Sequence, residues 1–233
     1  MTYLRWEATG PYEVVFTTRV GGVSDGPYAS LNLGRKTGDD VERVDENRRL
    51  LCAAIGADPE PLALNRQVHS TLVRRAEPGA RGKPGDGLWT DEADVPILAM
   101  SADCLPIALA RTEGEPAVAV LHAGWRGLLG GIVRVGAETL GGRLQAAVGP
   151  AIGPCCYEVG EEVSEPFASA FGADVVRGGK LDLWSAAERA LNAAGVDDVH
   201  RTDVCTCCNP DRFFSHRRTG KPRGVQGVIA RVA

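Results

Sequence analysis

The chain has 233 residues, 44% of them apolar, with a formal net charge of −4 and a pI near 5.6. This balance lacks the basic footprint with which nucleic-acid-binding domains hold phosphate backbones. No stretch approaches the ~18 consecutive apolar residues that a membrane-spanning helix needs, so neither nucleic acid nor a bilayer is an expected partner.

Taken in chain order, MTYLRWEATGPYEVVFTTR carries Arg5 and Glu7 and has no apolar segment long enough for a signal peptide. Together with an odd count of seven cysteines, this predicts reduced thiols and a cytoplasmic protein. Residues Glu13 to Thr18, rich in β-branched and aromatic types, read as a strand. A glycine-rich loop of roughly 20 residues follows, a length typical of functional or disordered segments, and Tyr28, Leu31 and Leu33 favour an ordered one. Asp39 or Asp40 then caps a helix on which Val41, Val44, Leu51, Ala54 and Ile55 recur at helical spacing up to Gly56. The other face of that helix carries Asn47 and Arg48.

Short strands are predicted at Leu62 to Val68, Leu72 to Arg75, Ile97 to Met100, Leu105 to Ala110 and Ala117 to Leu121. A glycine-punctuated helix from Leu128 to Leu140 and a strand from Leu144 to Val148 come next. Helices from Glu161 to Phe171 and from Leu183 to Ala194, the latter capped by Asp182, precede a closing strand from Val225 to Val232. Strands outnumber helices and come in adjacent runs, which predicts an α+β fold: residues 1–233 as a single domain of mixed β-sheets flanked by helices.

The run Asp103-Cys104-Leu105-Pro106 carries the chemistry, with His69 of QVHS before it and His122 of LHAGWRG after it. The chain has only four histidines, and two of them flank this isolated cysteine, each beside a predicted strand. Two imidazoles and a thiol fill the three protein positions of a catalytic zinc site; the same groups also suit a cysteine nucleophile with a histidine base. The plainer alternative is two hydrogen-bonded core histidines and a small buried thiol. Gly124 and Gly127 around Trp125 and Arg126 lead from a strand into a helix, where small residues let backbone N–H groups approach an anion.

Cys205 and Cys208 have C-x-x-C spacing, and adjacent Cys155 and Cys156 offer two more thiols for a structural zinc site. The vicinal pair and the aromatic run after CTCC count against it. A cytidine-deaminase zinc site is excluded, because neither H-x-E nor P-C-x-x-C is present.

The segments TTRVGGVSDGPYASLNLG, QVHS, SADCLPIAL, LHAGWRGLLGGIV, VGPAIGPCCYEVGEEV, LDLWSAA, CTCCNPDRFFSHRR and GVQGVIARV, in that order from about Tyr12 to Val232, resemble the bacterial laccase-domain family. Its members are also named purine nucleoside phosphorylases or peptidoglycan editing factors. The resemblance implies β-sheets flanked by helices, related to a cysteine hydrolase fold, and a zinc ion on His69, Cys104 and His122 as metal ligands and catalytic residues. It implies phosphorolysis of adenosine, inosine and methylthioadenosine, with adenosine deamination beside it; the partners are purine nucleosides and phosphate. His216 stands where the family often has tyrosine.

The family's polyphenol oxidase label fits poorly. Beyond His69 and His122 only His200 and His216 remain, too few for a blue copper centre plus an imidazole-rich cluster. Copper is expected at most as an adventitious metal.

Phosphorolysis needs cationic clamps on an anion, and Arg48, Arg66 and Arg126 are the candidate substrate-binding residues. Asp103 and the Asp86-Gly87 turn are candidates to orient ligands. Two other functions fit the residues: an amidase editing peptidoglycan precursors with Cys104 as nucleophile, and a zinc-stabilised binding module without turnover.

Overall fold

The computed structural model describes residues 1–233. Its elements in chain order are β1 (Tyr3–Trp6), β2 (Tyr12–Thr17), α1 (Val41–Ala54), β3 (Ala63–Arg66), β4 (Val73–Arg75), β5 (Arg81–Pro84), β6 (Gly87–Thr90), β7 (Ile97–Ser101), β8 (Leu105–Arg111) and β9 (Val118–Ala123). They continue with α2 (Trp125–Leu129), α3 (Ile132–Leu140), β10 (Leu144–Val148), α4 (Glu161–Phe171), β11 (Val176–Arg177), β12 (Lys180–Leu181), α5 (Leu183–Ala193), β13 (Asp198–Arg201), α6 (His216–Thr219) and β14 (Gln226–Val232). Two six-stranded mixed sheets result, ordered β1-β2-β14-β7-β3-β5 and β13-β10-β8-β9-β6-β4.

Side-chain alternation along the strands sorts the core into three layers. On β8, Leu105, Ile107 and Leu109 join Leu121 of β9 in the cluster that buries α3, α4 and α5, whereas Ala108 and Ala110 face the other way. That opposite face meets Val14 and Phe16 of β2, Ile97 and Ala99 of β7, and Val228 and Ala230 of β14 between the sheets. The outer face of the first sheet, through Val15, Leu98 and Ile229, receives Leu51, Cys52 and Ile55 from α1. The sheets therefore lie back to back between helices: one α+β domain, as expected.

Differences from the sequence expectations have local causes. The helix expected over 128–140 is two helices, because Gly130 ends α2 and Gly131 adopts a left-handed φ of 90° before α3 begins. The strand expected over 62–68 is only four residues long, since past Arg66 the chain leaves its ladder to carry His69. The long loop is ordered as expected: Leu31 and Leu33 are fully buried, Tyr28 is half-buried, and Asn47 donates to Ser24 Oγ at 2.9 Å and to the Asn32 carbonyl at 2.9 Å. The caps follow the sequence too: Asp40 accepts from Glu42 N and Arg43 N, and Asp182 from Ser185 N. No helix is long and apolar enough to cross a membrane.

Candidate functional site

The ends of β3, β7, β8 and β9 meet at one rim of the sandwich. Cys104 stands immediately before β8, and His122 is the penultimate residue of β9, opposite Pro106 in the antiparallel register. On β9, Val118 and Val120 point between the sheets; alternation aims His122 the same way, at the open end of that layer. His69 follows β3 in a loop with φ at 60°, a conformation non-glycine residues take only when surroundings impose it.

Asp86 imposes it. Its carboxylate, 1% exposed, accepts from His69 N at 3.0 Å, Ser70 N at 2.6 Å, Ser70 Oγ at 2.7 Å and Val68 N at 3.1 Å. It also lies 2.9 Å from His122 Nδ1, and its backbone carbonyl accepts from His122 N at 2.7 Å. Burial alone would raise the Asp86 pKa; the hydrogen bonds from His122, Ser70 and Val68 outweigh it and hold the carboxyl far below the usual carboxylate range. One ionised side chain thus fixes the His69 loop and directs His122 Nδ1–H towards itself, leaving Nε2 free.

The ligand atoms of His69, Cys104 and His122 all lie within 4.8 Å of one another. Cys104 Sγ is 4.0 Å from His69 Nε2, and the imidazole rings are 5.0 Å apart in an edge-on arrangement. Burial opposes ionisation of both Cys104 and His122. Their mutual attraction, reinforced for Cys104 by His69 and for His122 by Asp86, lowers the thiol pKa and raises that of the imidazole. Two imidazole nitrogens and a readily ionised thiol form a borderline-soft donor set that fits zinc and leaves a fourth position open.

Gly124 makes this convergence possible. A Cβ there would sit 3.0 Å from both Cys104 Sγ and His69 Cδ2. Its role differs from the anion-binding reading of HAGWRG, because α2 has only five residues and the glycine instead makes room for two of the three converging side chains.

The three residues open onto a cavity of about 660 Å³. Among its lining residues are Arg35, Lys36, Arg48, Arg66, Arg81, Lys221 and Arg223, and none is Asp or Glu. In a protein of negative net charge this wall concentrates positive potential at the site. Two polar atoms of the lining, Ser101 Oγ and Arg223 Nε, are buried without a hydrogen-bond partner.

The three arginines singled out in the sequence are placed differently. Arg66 lines the cavity and is exposed. Arg48 also lines it, but is 4% exposed and donates Nε and Nη2 to the Leu33 carbonyl at 2.9 and 2.7 Å. Burial pushes its pKa down to about 10, so it stays charged at neutral pH. Arg126 does not line the cavity; its guanidinium stacks on Trp125, 4.1 Å from the ring centroid. Asp103 turns to other work, accepting from Thr206 Oγ1 at 2.6 Å and Arg217 N at 2.7 Å. Of the remaining cavity cations, Arg35, Lys36, Lys221 and Arg223 come from loops and Arg81 opens the short edge strand β5, none with a periodic signal in the sequence. His216 lines the cavity, and His200 lies away from it on β13.

Residues 13–232 match the family described as multi-copper polyphenol oxidoreductase laccase. The chain is 38% identical over 227 residues to a Pseudomonas aeruginosa protein named purine nucleoside phosphorylase PA4543, covering 93% of this chain and 92% of the relative. It is 38% identical over 213 residues to purine nucleoside phosphorylase YfiH of Escherichia coli, covering 87% and 86%. The crystal structure of NMB0706 from Neisseria meningitidis superposes with a TM-score of 0.90 at 35% identity, over 100% of this chain and 99% of that one. YlmD from Geobacillus stearothermophilus gives 0.90 at 33%, over 100% and 97%. With the family's sequence pattern running through both sheets and all three converging side chains, the chain belongs to the polyphenol oxidoreductase laccase family, among relatives named purine nucleoside phosphorylases.

Proposed function

We propose that this protein is a zinc-dependent purine nucleoside phosphorylase, acting on adenosine, inosine and methylthioadenosine, with adenosine deamination as a second reaction. The carrying observation is the convergence of His69, Cys104 and His122 in the lining of a cavity rich in cations and free of carboxylates. His69, Cys104 and His122 would hold the ion. When bound, zinc supplies a Lewis acid able to lower the pKa of a water to about 7.

The chain's own residues account for the rest. In phosphorolysis the bond from ribose C1′ to the purine nitrogen breaks, a bond from C1′ to an oxygen of hydrogen phosphate forms, and the base leaves with the proton that the phosphate gives up. Phosphate must be held against a carbon that develops positive charge. Arg66, Arg81 and Arg223 are the cavity cations suited to that, and the unpartnered Arg223 Nε and Ser101 Oγ offer hydrogen bonds to the anion or the sugar. Asp86 keeps His122 in one tautomer and His69 in its uncommon backbone conformation. In deamination, water adds to the purine carbon bearing the amino group and ammonia leaves, with no demand on the anion clamp.

One observation favours a second reading. Cys104, His122 and Asp86 form a thiol–imidazole–carboxylate sequence with a lowered thiol pKa, the arrangement of a cysteine nucleophile. A metal-free amidase acting on a cell-wall precursor would use it. Metal content separates the two, because a thiolate committed to zinc is a poor nucleophile. The test is purified protein of known metal content incubated with a panel of purine nucleosides, with and without phosphate, and products identified by mass. Free base with ribose 1-phosphate supports the proposal; no product from any nucleoside favours the amidase.

A further inference from the structure

A second group of thiols lies apart from the His69–Cys104–His122 site. Cys155 and Cys156 lie in the loop after β10, and Cys205 and Cys208 in the loop after β13. Those strands pair in parallel, so both loops leave the same end of the second sheet, tied by a bridge between Ala151 and Cys205. All four Sγ atoms lie within 4.8 Å of one another, with Cys208 Sγ 3.3 Å from those of both Cys155 and Cys156. The vicinal pair, which counted against a site in the sequence, sits in a turn where Cys156 N and Tyr157 N both donate to the Gly153 carbonyl. That turn sends both sulfurs to one partner.

We infer that Cys155, Cys156, Cys205 and Cys208 bind a structural zinc ion. Zinc–sulfur bonds of ~2.3 Å put the sulfurs of a tetrahedral site about 3.8 Å apart, a spacing bracketed by the separations here. Four thiolates with no open position describe a closed structural site, for which zinc is the usual occupant.

The surroundings fit an anionic tetrathiolate centre. Gly153 N donates to Cys205 Sγ at 3.3 Å, the kind of amide-to-sulfur bond that supports metal-bound thiolates. Three cations are seated on carbonyls of the two loops: Lys180 on Cys155 at 3.1 Å, Arg217 on Glu158 at 2.9 Å, and Arg218 on Thr206 and Cys207 at 2.8 and 3.0 Å. Each offsets negative charge that four thiolates on one divalent ion leave over.

The centre braces the first site from behind. Thr206, inside the cysteine loop, donates to Asp103, whose carbonyl accepts from Ile152 N at 2.9 Å. Asp103 holds a φ of 95° and directly precedes Cys104. Zinc joining the two loops therefore fixes the turn that presents Cys104, and it does so whichever reaction the cavity performs.

The test is zinc stoichiometry of the full chain purified without chelator, alongside a thiol count after denaturation with chelator. Two zincs per chain are expected in the native protein and one in the Cys155→Ser/Cys208→Ser variant. One is also expected in Cys104→Ala, with all seven thiols of the native chain reactive. Unchanged zinc in the double variant overturns the assignment, as does loss of all zinc in Cys104→Ala. Five or fewer reactive thiols in the native chain overturn it too, because the cysteines would then be disulfide-bonded. Should the double variant fail to fold, cobalt(II) loaded into Cys104→Ala decides. The charge-transfer and d–d bands of a tetrathiolate site support the inference, and a colourless protein overturns it.

Discussion

Replacing Gly124 with alanine is the sharpest perturbation of the ligand geometry that leaves every ligand in place. The added Cβ would stand 3.0 Å from Cys104 Sγ and 3.0 Å from His69 Cδ2, so one or both side chains must retreat by a few tenths of an ångström. Metal–ligand distances tolerate only about ±0.2 Å. The retreat therefore falls on zinc affinity, by an expected factor of about 10–100, the range seen when groups supporting metal ligands are removed. This corresponds to about 1.4–2.8 kcal/mol at 1.4 kcal/mol per decade. The backbone itself is compatible with alanine, since Gly124 has φ −74° and ψ 173°, so the metal-free protein should unfold within about 1 kcal/mol of the parent. Competition against a chromophoric chelator gives the affinity, and thermal unfolding of the metal-free protein gives the control. Unchanged zinc affinity, or a variant that no longer folds, would show that Gly124 does not set the spacing of Cys104 and His69.

Other perturbations separate support, clamp and core. Asp86→Asn should weaken zinc binding and also destabilise the fold by about 2 kcal/mol or more, because an amide NH₂ must face N–H and O–H donors that now meet a carboxylate; a melt matching the parent would contradict this. Arg66→Ala should suppress adenine release roughly tenfold or more while sparing inosine formation, given ~1.5–3 kcal/mol for a lost charged hydrogen bond. Arg126→Ala, away from the cavity, should leave both products unchanged in the same assay. Arg48→Ala should lower both products together and destabilise the protein by about 2–4 kcal/mol, because it removes two hydrogen bonds to Leu33; denaturant titration measures it. Chelation should abolish activity while leaving cooperative unfolding, since a core with 88 buried residues does not depend on a metal as small zinc modules do.

Much of the architecture was legible because its causes are local. The α1 pattern and its Asp40 cap, the alternation on β8 and the closing strand β14 each express burial or capping that neighbouring residues encode. Strands β1, β5 and β13, at sheet edges, and β6, inside its sheet, are four residues each, too short for alternation to register, and RGKP in β5 lacks apolar residues as well; they form when a partner strand offers its ladder. The split between α2 and α3 turns on the left-handed Gly131, which a count of apolar positions passes over. At the site, His69, Cys104 and His122 stood out by residue type, and the structure brings them together. Asp86 reads in the sequence only as part of a turn; its hold on the His69 loop depends on β6 lying next to β4 and its hold on His122 on β6 lying next to β9, pairings the sequence does not announce. Arg126 was legible as a motif residue, yet its guanidinium lies on its own neighbour Trp125.

In the proposed reaction, zinc at His69, Cys104 and His122 is required for phosphate-dependent cleavage of purine nucleosides. This requirement is tested by adenosine phosphorolysis followed as zinc is returned to the metal-free protein, with ribose 1-phosphate quantified at each step and ion occupancy of that site tracked in parallel. Product formation should rise in proportion to occupancy and vanish without phosphate or in Cys104→Ala. Turnover that is indifferent to zinc, or highest in the metal-free protein, would rule out a zinc-dependent phosphorylase and point to Cys104 as a free nucleophile.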